Sequence, residues 1–481
     1  QGLMFYSKTK FNFFLNKKIE FMSRSVTILG AGLVGSLLAV MFRKRGYEVS
    51  IYERRNDMRL QTMSAGKSIN LAVSHRAWHA LSMAGLKELF EDIAIPMYGR
   101  TLHQVDGSVV FQQYGKNREA IYSVSRGELN RKLMTAAEEA GAKIYFEHKC
   151  IDADVVNNRY TFEKKDGQTI SLQADLVFGA DGAFSALRAG FTKMDRVNAV
   201  QEYIDHGYKE LTIPAAASGA FQLEKEALHI WPRRNFMMIA LPNTDATFTC
   251  TLFFPFHGTP SFDSVKTNEE VLQFFQEQFP DAVPMMPTLL EDYATNPTAS
   301  LVTTRIFPWV YKNKSALIGD AAHAIVPFYG QGMNAGFEDC SVLMSCMDQH
   351  GEDWDAILTQ YQKMRKPNGD AVLQLALYNF IEMRDKVADP EFLERKKIEK
   401  DLGLRYPTQF NSIYEMVSFS HIPYSTAWQC IEKQDALLQK IMQAGNYFEL
   451  LTTESFTLQL NQWMQEYQTA VAALDFGNGA H

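Results

Sequence analysis

The 481-residue chain contains no run of about 18 apolar residues, so no transmembrane helix is expected. Its longest approach, LVGSLLAVMF, stops at Arg43-Lys44-Arg45. Cysteine is scarce: five thiols, scattered, odd in number and without CxxC spacing. That pattern excludes a readable disulfide framework or zinc site and suits a reducing compartment, with mostly buried, inert thiols. A basic surplus is absent too. With 48 Lys and Arg against 55 Asp and Glu the net charge is −7, which argues against nucleic acid as a partner while leaving room for a local basic pocket. Tandem repeats and low-complexity segments are missing. A soluble, cytoplasmic protein is expected, its oligomeric state open. The opening QGLMFYSKTKFNFFLNKKIEF has neither a compact apolar core nor a small-residue cleavage site, so residues 1–23 are expected to form a disordered extension.

What is present is an ordinary globular balance, 46% hydrophobic and 21% charged. SVTILG (25–30) is a β-branched run, followed by a helical pattern ending at Gly46 and by the strand YEVSIYE (47–53). This β-α-β unit opens a doubly wound sheet. A second helix over 74–86 starts on Ser74 as N-cap. A third, 125–142, starts on Ser125 with Glu128 placed for a capping box. AKIYFEHKC and ADLVFGADG follow as strands. The centre (LHIWP, FMMIALP, TFTCTLFFPF, SLVTTRIF) has the pattern of an antiparallel sheet inserted between halves of the first domain. Beyond residue 335 the pattern is helical. The expected fold is α/β: a Rossmann-like nucleotide-binding domain over 24–97, 116–195 and 300–370, a substrate β-sheet domain over 98–115 and 196–299, and a helical region over 371–481.

Three segments carry chemistry. Gly30-Ala31-Gly32-Leu33-Val34-Gly35 is GxGxxG between a strand and a helix, and Glu53 ends the next strand 18 residues beyond Gly35. In this dinucleotide fingerprint Gly30 permits the turn, Gly32 the approach of a pyrophosphate and Gly35 close helix–sheet packing, while Glu53 accepts from ribose hydroxyls. GADGAFSALR (179–188) sets Asp181-Gly182 after a second strand, with Arg188 inside the following helix. ALIGD sets Asp320 at the same edge, in reach of a ribityl chain. Gly330, Gly332 and Gly336 then follow within seven positions in PFYGQGMNAG (327–336), where bare peptide N–H groups and a helix start suit negative charge on a ligand.

The DG and GD segments, at these distances from GxGxxG, resemble those of the single-component FAD-dependent aromatic hydroxylases (the para-hydroxybenzoate hydroxylase-like fold). GKSINLAVSHR (66–76), IPMYGR (95–100), YSVSRGELN (122–130), HGYKELTIP (206–214), HIWPRRNFMMIALPN (229–243), FTCTLFFPF (248–256), GDAAHAIVPFYGQGMNAGFEDC (319–340) and YNFIEMR (378–384) sharpen the likeness to the kynurenine 3-monooxygenase family. The resemblance runs from about residue 24 to 420. It implies bound FAD, transient NADPH, O2, and hydroxylation of L-kynurenine to 3-hydroxykynurenine through a C4a-hydroperoxyflavin, a step of tryptophan degradation. It also implies that Arg100 and Tyr114 grip the amino-acid carboxylate and that Asn379 and Tyr414 complete the polar shell. Phe253, Phe328 and Tyr329 would line the ring site. Leu33, Val34, Arg54, Ala72, Arg126, Met333 and Asn334 are the further flavin neighbours.

No second GxGxxG unit is present, so no separate nicotinamide domain is expected. His323, at a strand-to-loop junction, is expected to be structural. The polar end QLNQWMQEYQTAVAALDFGNGAH departs from the hydrophobic anchor of eukaryotic members, although loose membrane contact through 433–470 stays open. The alternatives are a flavin hydroxylase of another aromatic substrate, which would have no use for the Arg100 clamp, and a redox-sensing flavoprotein acting through a partner. A flavin-dependent halogenase is disfavoured by the missing WxWxIP.

Overall fold

The computed structural model describes residues 24–60, 69–382 and 389–477. The 1–23 extension, the first three residues of GKSINLAVSHR and the end of YNFIEMR lie outside the described residues. Strands Ser25–Leu29, Glu48–Tyr52, Lys143–Tyr145, Val177–Gly179 and Ser315–Leu317 form a parallel sheet, with Val310–Tyr311 as an antiparallel edge. Val26, Ile28, Ile51, Val177 and Leu317 are all buried, as strands covered on both faces require. Helices Leu33–Lys44 and Arg126–Glu139 pack together, and the long helix Gly332–His350 lies against the first of them. Register aligns Leu29 with Gly179 and Gly179 with Leu317. The three chemistry-bearing loops therefore leave one edge of one sheet.

Two local expectations need correction. AKIYFEHKC is not one strand. It breaks at Glu147, whose φ is +56°, and its second part, His148–Asp154, joins a separate three-stranded antiparallel sheet. At the 126–139 helix, Ser125 Oγ accepts from the Glu128 N–H at 3.4 Å, and only that half of the capping box forms.

The inserted sheet has seven strands, in the order Ala299–Phe307, Asn198–Ile213, Phe248–Pro255, Phe236–Pro242, Ala227–Arg233, Gly99–His103, Val109–Gln113. It is antiparallel except where 227–233 meets 99–103 in parallel, because the second strand comes from an earlier excursion of the chain. Side chains alternate between two cores, as strand geometry demands. Leu252 and Phe254 face a pocket-filling layer with Trp231, Phe275 and Phe279. Phe253, Met237 and Ile230 face the other way, onto Phe328, Ala376 and Phe380. That second face turns toward the glycine-rich loop.

The C-terminal helices include Trp354–Ile381, Pro390–Arg405, Ile413–Ser418, Tyr424–Gln443 and Glu454–Val471, with their own apolar core. Arg76, on helix His75–Met83, fastens them down. It donates to the carbonyls of Val417 at 3.1 Å, Met416 at 3.3 Å and Ile422, and its guanidinium lies 3.9 Å from the Tyr424 ring centre. Beside it three imidazoles meet: His421 lies 5.2 Å from His75 and 4.8 Å from His79, centre to centre. Burial, then the neighbouring His79, Arg76 and His75, lower the His421 pKa from 6.5 to about 4, with Glu338 opposing. His421 is therefore neutral in the fold and takes up a proton on unfolding at pH values between those two numbers. Its contribution is present above pH 6.5 and is lost as pH falls toward 4. The melting temperature should accordingly fall over that interval, and a His421→Gln variant should show a shallower fall; parallel curves would remove the imidazole cluster as the cause.

Candidate flavin and substrate site

At the first loop, Gly30 has φ of +97°, and a Cβ there would sit 2.6 Å from the Ala180 carbonyl oxygen. A Cβ on Gly35 would lie 2.0 Å from the Gly30 oxygen. The protein itself needs both glycines. Gly32 differs: its φ is −73° and a Cβ would meet nothing within 4 Å. It is the N-cap of the 33–44 helix, which has no side-chain cap and no acid in its first turn, so open N–H groups and partial positive charge face a bare backbone. Buried Glu53 accepts from the Ala31 N–H with Oε2 and from the Arg55 N–H with Oε1, both at 2.9 Å. It thereby braces the glycine loop as well as standing at the strand end expected for a ribose contact. Arg54 is exposed beside it, and Leu33 and Val34 are half-buried.

At the second loop, one Asp181 oxygen accepts from the Ala186 N–H at 2.7 Å, while Oδ1 is buried without a partner. Burial pushes this carboxyl up, against the pull of Ser185 and the helix N–H groups. Arg188 ties the second loop to the third, donating to Ala321 O at 3.0 Å, to Ala183 O and to Gln201 Oε1 at 3.2 Å. Exposed Asp320 opens a single helical turn after Gly319, whose φ is +60°. The Gly319 N–H donates to Asp339 Oδ2 at 2.9 Å, and the same oxygen accepts from His323 at 2.6 Å. His323 is buried and stacked on Trp309, the structural role expected of it.

In the glycine-rich loop, Pro327–Tyr329 forms one tight turn, Gly330 has φ of +67°, and the 19-residue helix 332–350 begins with no side-chain cap and no acid in its first turn. The Asn334 side chain is fully engaged: Nδ2 donates to Ala72 O and Gly330 O, and Oδ1 accepts from the Ser74 N–H, all at 2.8 Å. Asn334 is thus a strut that holds the helix start against the strand Asn70–Val73. Met333 is buried in the core of the cofactor-side domain, and Arg126 is exposed on the first turn of its helix.

The residues expected to bind substrate converge. Tyr114 stacks on Tyr414 at 5.0 Å and 16°, and Tyr414 on Tyr329 at 5.7 Å and 18°. Burial raises all three phenol pKa values, those of Tyr114 and Tyr329 well above the usual range, while Arg100 pulls each back. At neutral pH they are hydroxyl donors beside a cation. Arg100 Nε donates to Gln112 Oε1 at 2.8 Å. The apolar wall follows: Phe253 lies 4.9 Å from Phe328, which stacks on Phe380 at 3.9 Å and 18°. Asn379 Nδ2 donates to the Phe328 carbonyl at 2.8 Å, so it holds the loop in place. Sequence reasoning missed Gln112, Phe380, Arg76 and the buried acids Glu338 and Asp339. Only the pair of adjacent acids inside an apolar helix pattern, FEDC, gave a signal for the last two.

An orphaned buried carboxylate oxygen at Asp181, the vacant Cβ direction of Gly32 and two uncapped helix starts fit a dinucleotide cofactor. Residues 23–376 match the FAD binding domain family. Among solved structures, the chain is similar to the tetrameric form of 2-methyl-3-hydroxypyridine-5-carboxylic acid oxygenase (TM-score 0.62, 21% identity, 78% of this chain and 96% of that one). It is also similar to tetracycline destructase Tet(51) (TM-score 0.56, 16% identity, 80% and 96%). At these identities the likeness establishes the fold, that of the single-component FAD hydroxylases.

Curated relatives narrow this. Kynurenine 3-monooxygenase of Christiangramia forsetii is 48% identical over 421 residues, 87% of this chain and 94% of the relative. That of Flavobacterium johnsoniae is 45% identical over 445 residues (92% and 99%), and that of Dictyostelium discoideum 42% over 443 (89% and 95%). The chain belongs to the kynurenine 3-monooxygenase family.

The two glycines of the first loop should separate in experiment. Gly32→Ala is expected to leave the melting temperature of the apoprotein unchanged and to lower FAD retention. Gly35→Ala should lower both, since forcing a methyl onto a carbonyl costs about 1–3 kcal/mol. Equal flavin occupancy in Gly32→Ala, measured by absorbance after gel filtration, would contradict a ligand-facing Gly32.

Proposed function

We propose that this protein hydroxylates L-kynurenine to 3-hydroxykynurenine with bound FAD, consuming NADPH and O2. The observation that carries the reading is one cation, Arg100, in the field of three stacked, protonated phenols that come from the glycine-rich loop (Tyr329), the inserted sheet's hairpin (Tyr114) and the C-terminal helices (Tyr414). A zwitterionic amino acid needs a fixed positive charge for its carboxylate, and a planar guanidinium matches that acid. Among the described residues Arg100 has no carboxylate within ion-pairing distance, so an anionic ligand would supply the missing partner.

When bound, FAD supplies hydride acceptance from NADPH and activation of O2. Gly30, Gly32, Leu33, Val34, Gly35, Glu53 and Arg54 would hold its adenosine diphosphate half. Asp181 and Asp320 would take the middle, and Ala72, Arg126, Gly332, Met333 and Asn334 would surround the ring. The chain's own residues have a positioning task, because the aromatic amine of kynurenine already activates the adjacent ring carbon. Arg100, Tyr114 and Tyr414 would fix the acid end, and Phe253, Phe328 and Tyr329 would fix the ring and exclude water. No side-chain nucleophile is required. Five free thiols, four of them buried, support a reducing compartment such as the cytoplasm.

The decisive assay is kynurenine-dependent NADPH oxidation by the FAD-loaded protein with 3-hydroxykynurenine as product; NADPH consumption indifferent to kynurenine would defeat the reading. Arg100→Ala should raise the kynurenine KM by about 10- to 100-fold, the loss expected for a charged hydrogen-bond partner, with a smaller change in kcat. An unchanged KM would take Arg100 out of the site.

A further inference from the structure

Arg100 lies on strand 99–103, and its direct partner across the antiparallel hairpin is Gln112 on strand 109–113. Cross-strand partners point to the same face of the sheet. The two strands are pressed close at this point. A Cβ on Gly99 would come within 2.4 Å of the Gln112 carbonyl oxygen and 2.5 Å of Phe111 Cζ, so the Arg100–Gln112 pairing has little freedom to slide. Both side chains are half-buried, and the Arg100 Nε–H donates to Gln112 Oε1 at 2.8 Å.

A guanidinium can take a carboxylate in two planar ways: side-on through Nε and one Nη, or end-on through both Nη atoms. Occupation of Nε by Gln112 closes the first way and leaves the second. The same bond engages the amide oxygen and leaves the Gln112 NH2 as two further donors beside the guanidinium. Tyr114, two residues beyond Gln112, and Tyr414 contribute hydroxyl donors within the field of Arg100.

We propose that Gln112 is a positioning residue for the substrate's acid group: it locks Arg100 by Nε, presents the terminal Nη fork for end-on pairing, and offers its own amide N–H to the same carboxylate. This rests on the reading that Arg100 receives the acid of an amino-acid substrate, and it adds how the cation is aimed and which neighbour shares the load. A bidentate contact loses strength steeply when its plane is free to swing, so the residue that fixes the plane decides how well acid-bearing and acid-free ligands are told apart.

The test compares L-kynurenine with its decarboxylated analogue, measuring dissociation constants on FAD-loaded protein by perturbation of the flavin absorbance. Gln112→Leu should weaken kynurenine about ten- to a hundredfold, the loss of one hydrogen bond to a charged group, and leave the analogue within about twofold. Gln112→Glu should weaken kynurenine further, because the new carboxylate pairs with Arg100 and repels the ligand's acid, while the analogue's ammonium is not repelled. Arg100→Ala is the control, and should bring the two ligands to similar affinity. If Arg100→Ala does so and Gln112→Leu leaves kynurenine binding unchanged, or weakens both ligands equally, the positioning role is overturned. If Arg100→Ala does not change the ratio, the acid-binding reading itself falls. Flavin content and melting temperature, expected at wild-type values in Gln112→Leu, exclude a folding defect as the source of any loss.

Discussion

A chain of buried charges holds the molecule's working parts in register. Arg76 pairs with Glu338, Glu338 with Arg365 at 2.6 Å, Arg365 Nε with Asp339 at 2.6 Å, and Asp339 with His323 at 2.6 Å. Two guanidiniums balance two carboxylates with almost no exposure to water. Burial alone would push both acids up, yet the surrounding cations hold Glu338 and Asp339 below the usual carboxylate range. Such a network is seldom a net gain over apolar packing, but removing one member strands its partner at a cost of about 3–5 kcal/mol. Its value here is geometric. Asp339 grips the N–H of Gly319 ahead of Asp320, Arg365 Nη2 donates to Ala335 O on the glycine-rich helix at 3.2 Å, and Arg76 holds the carbonyls that end the Tyr414 helix. One ionic lattice therefore sets the cofactor loop, the helix start and the substrate-side phenol relative to each other.

The two sides of the site come from different layers, and neither is complete alone. Arg100 and Phe253 belong to the seven-stranded sheet, Phe328 and Tyr329 to the loop beyond the parallel sheet, and Tyr414 to the C-terminal helices. Where they meet, apolar area and stacked rings half-bury a cation. Desolvation keeps the phenols protonated as donors, and on the proposed function it would strengthen the attraction between Arg100 and a substrate's acid group. The same exclusion of water serves any chemistry in which reduced cofactor must not be discharged by solvent. Positioning and dryness thus have one physical cause, the packing of the Phe253–Phe328–Phe380 stack against the phenol ladder.

Much of this was legible from the residues alone. Glycines after β-branched strands revealed the nucleotide loops, because backbone approach leaves a compositional trace, and strand-like runs such as TFTCTLFFPF between turn clusters indicated the inserted antiparallel sheet. Roles that depend on distant partners left no such trace. Asn334 and Asn379 stood out through the family resemblance, but what their side chains bond to depends on contacts across 262 and 51 positions respectively. Arg76 carried no signal in SHRAWH, because a carbonyl it holds lies 341 positions away in the C-terminal helices. The break at Glu147 was hidden because Lys143–Cys150 is strand-like throughout, and the turn is imposed by its two halves joining different sheets.

The glycines of the site separate into those that the polypeptide requires and those that it does not. Gly30 and Gly330 have positive φ, and a methyl on Gly336 would strike Val34 Cγ2 at 2.7 Å, so the fold accounts for all three. Gly32 and Gly332 are under no such demand: the first would meet nothing within 4 Å, and the second would meet Ile325 at an ordinary 3.5 Å. Both stand at the start of uncapped helices, 33–44 and 332–350, whose N–H groups lack side-chain acceptors. With no steric demand from the chain, the bare backbone at both positions leaves room for a ligand to approach. On the proposed function, the two unforced glycines stand where a cofactor's pyrophosphate and the electron-rich edge of its ring would come close to the backbone. The ionic lattice through Asp339 and Arg365 braces the Gly319 loop and the start of the 332–350 helix.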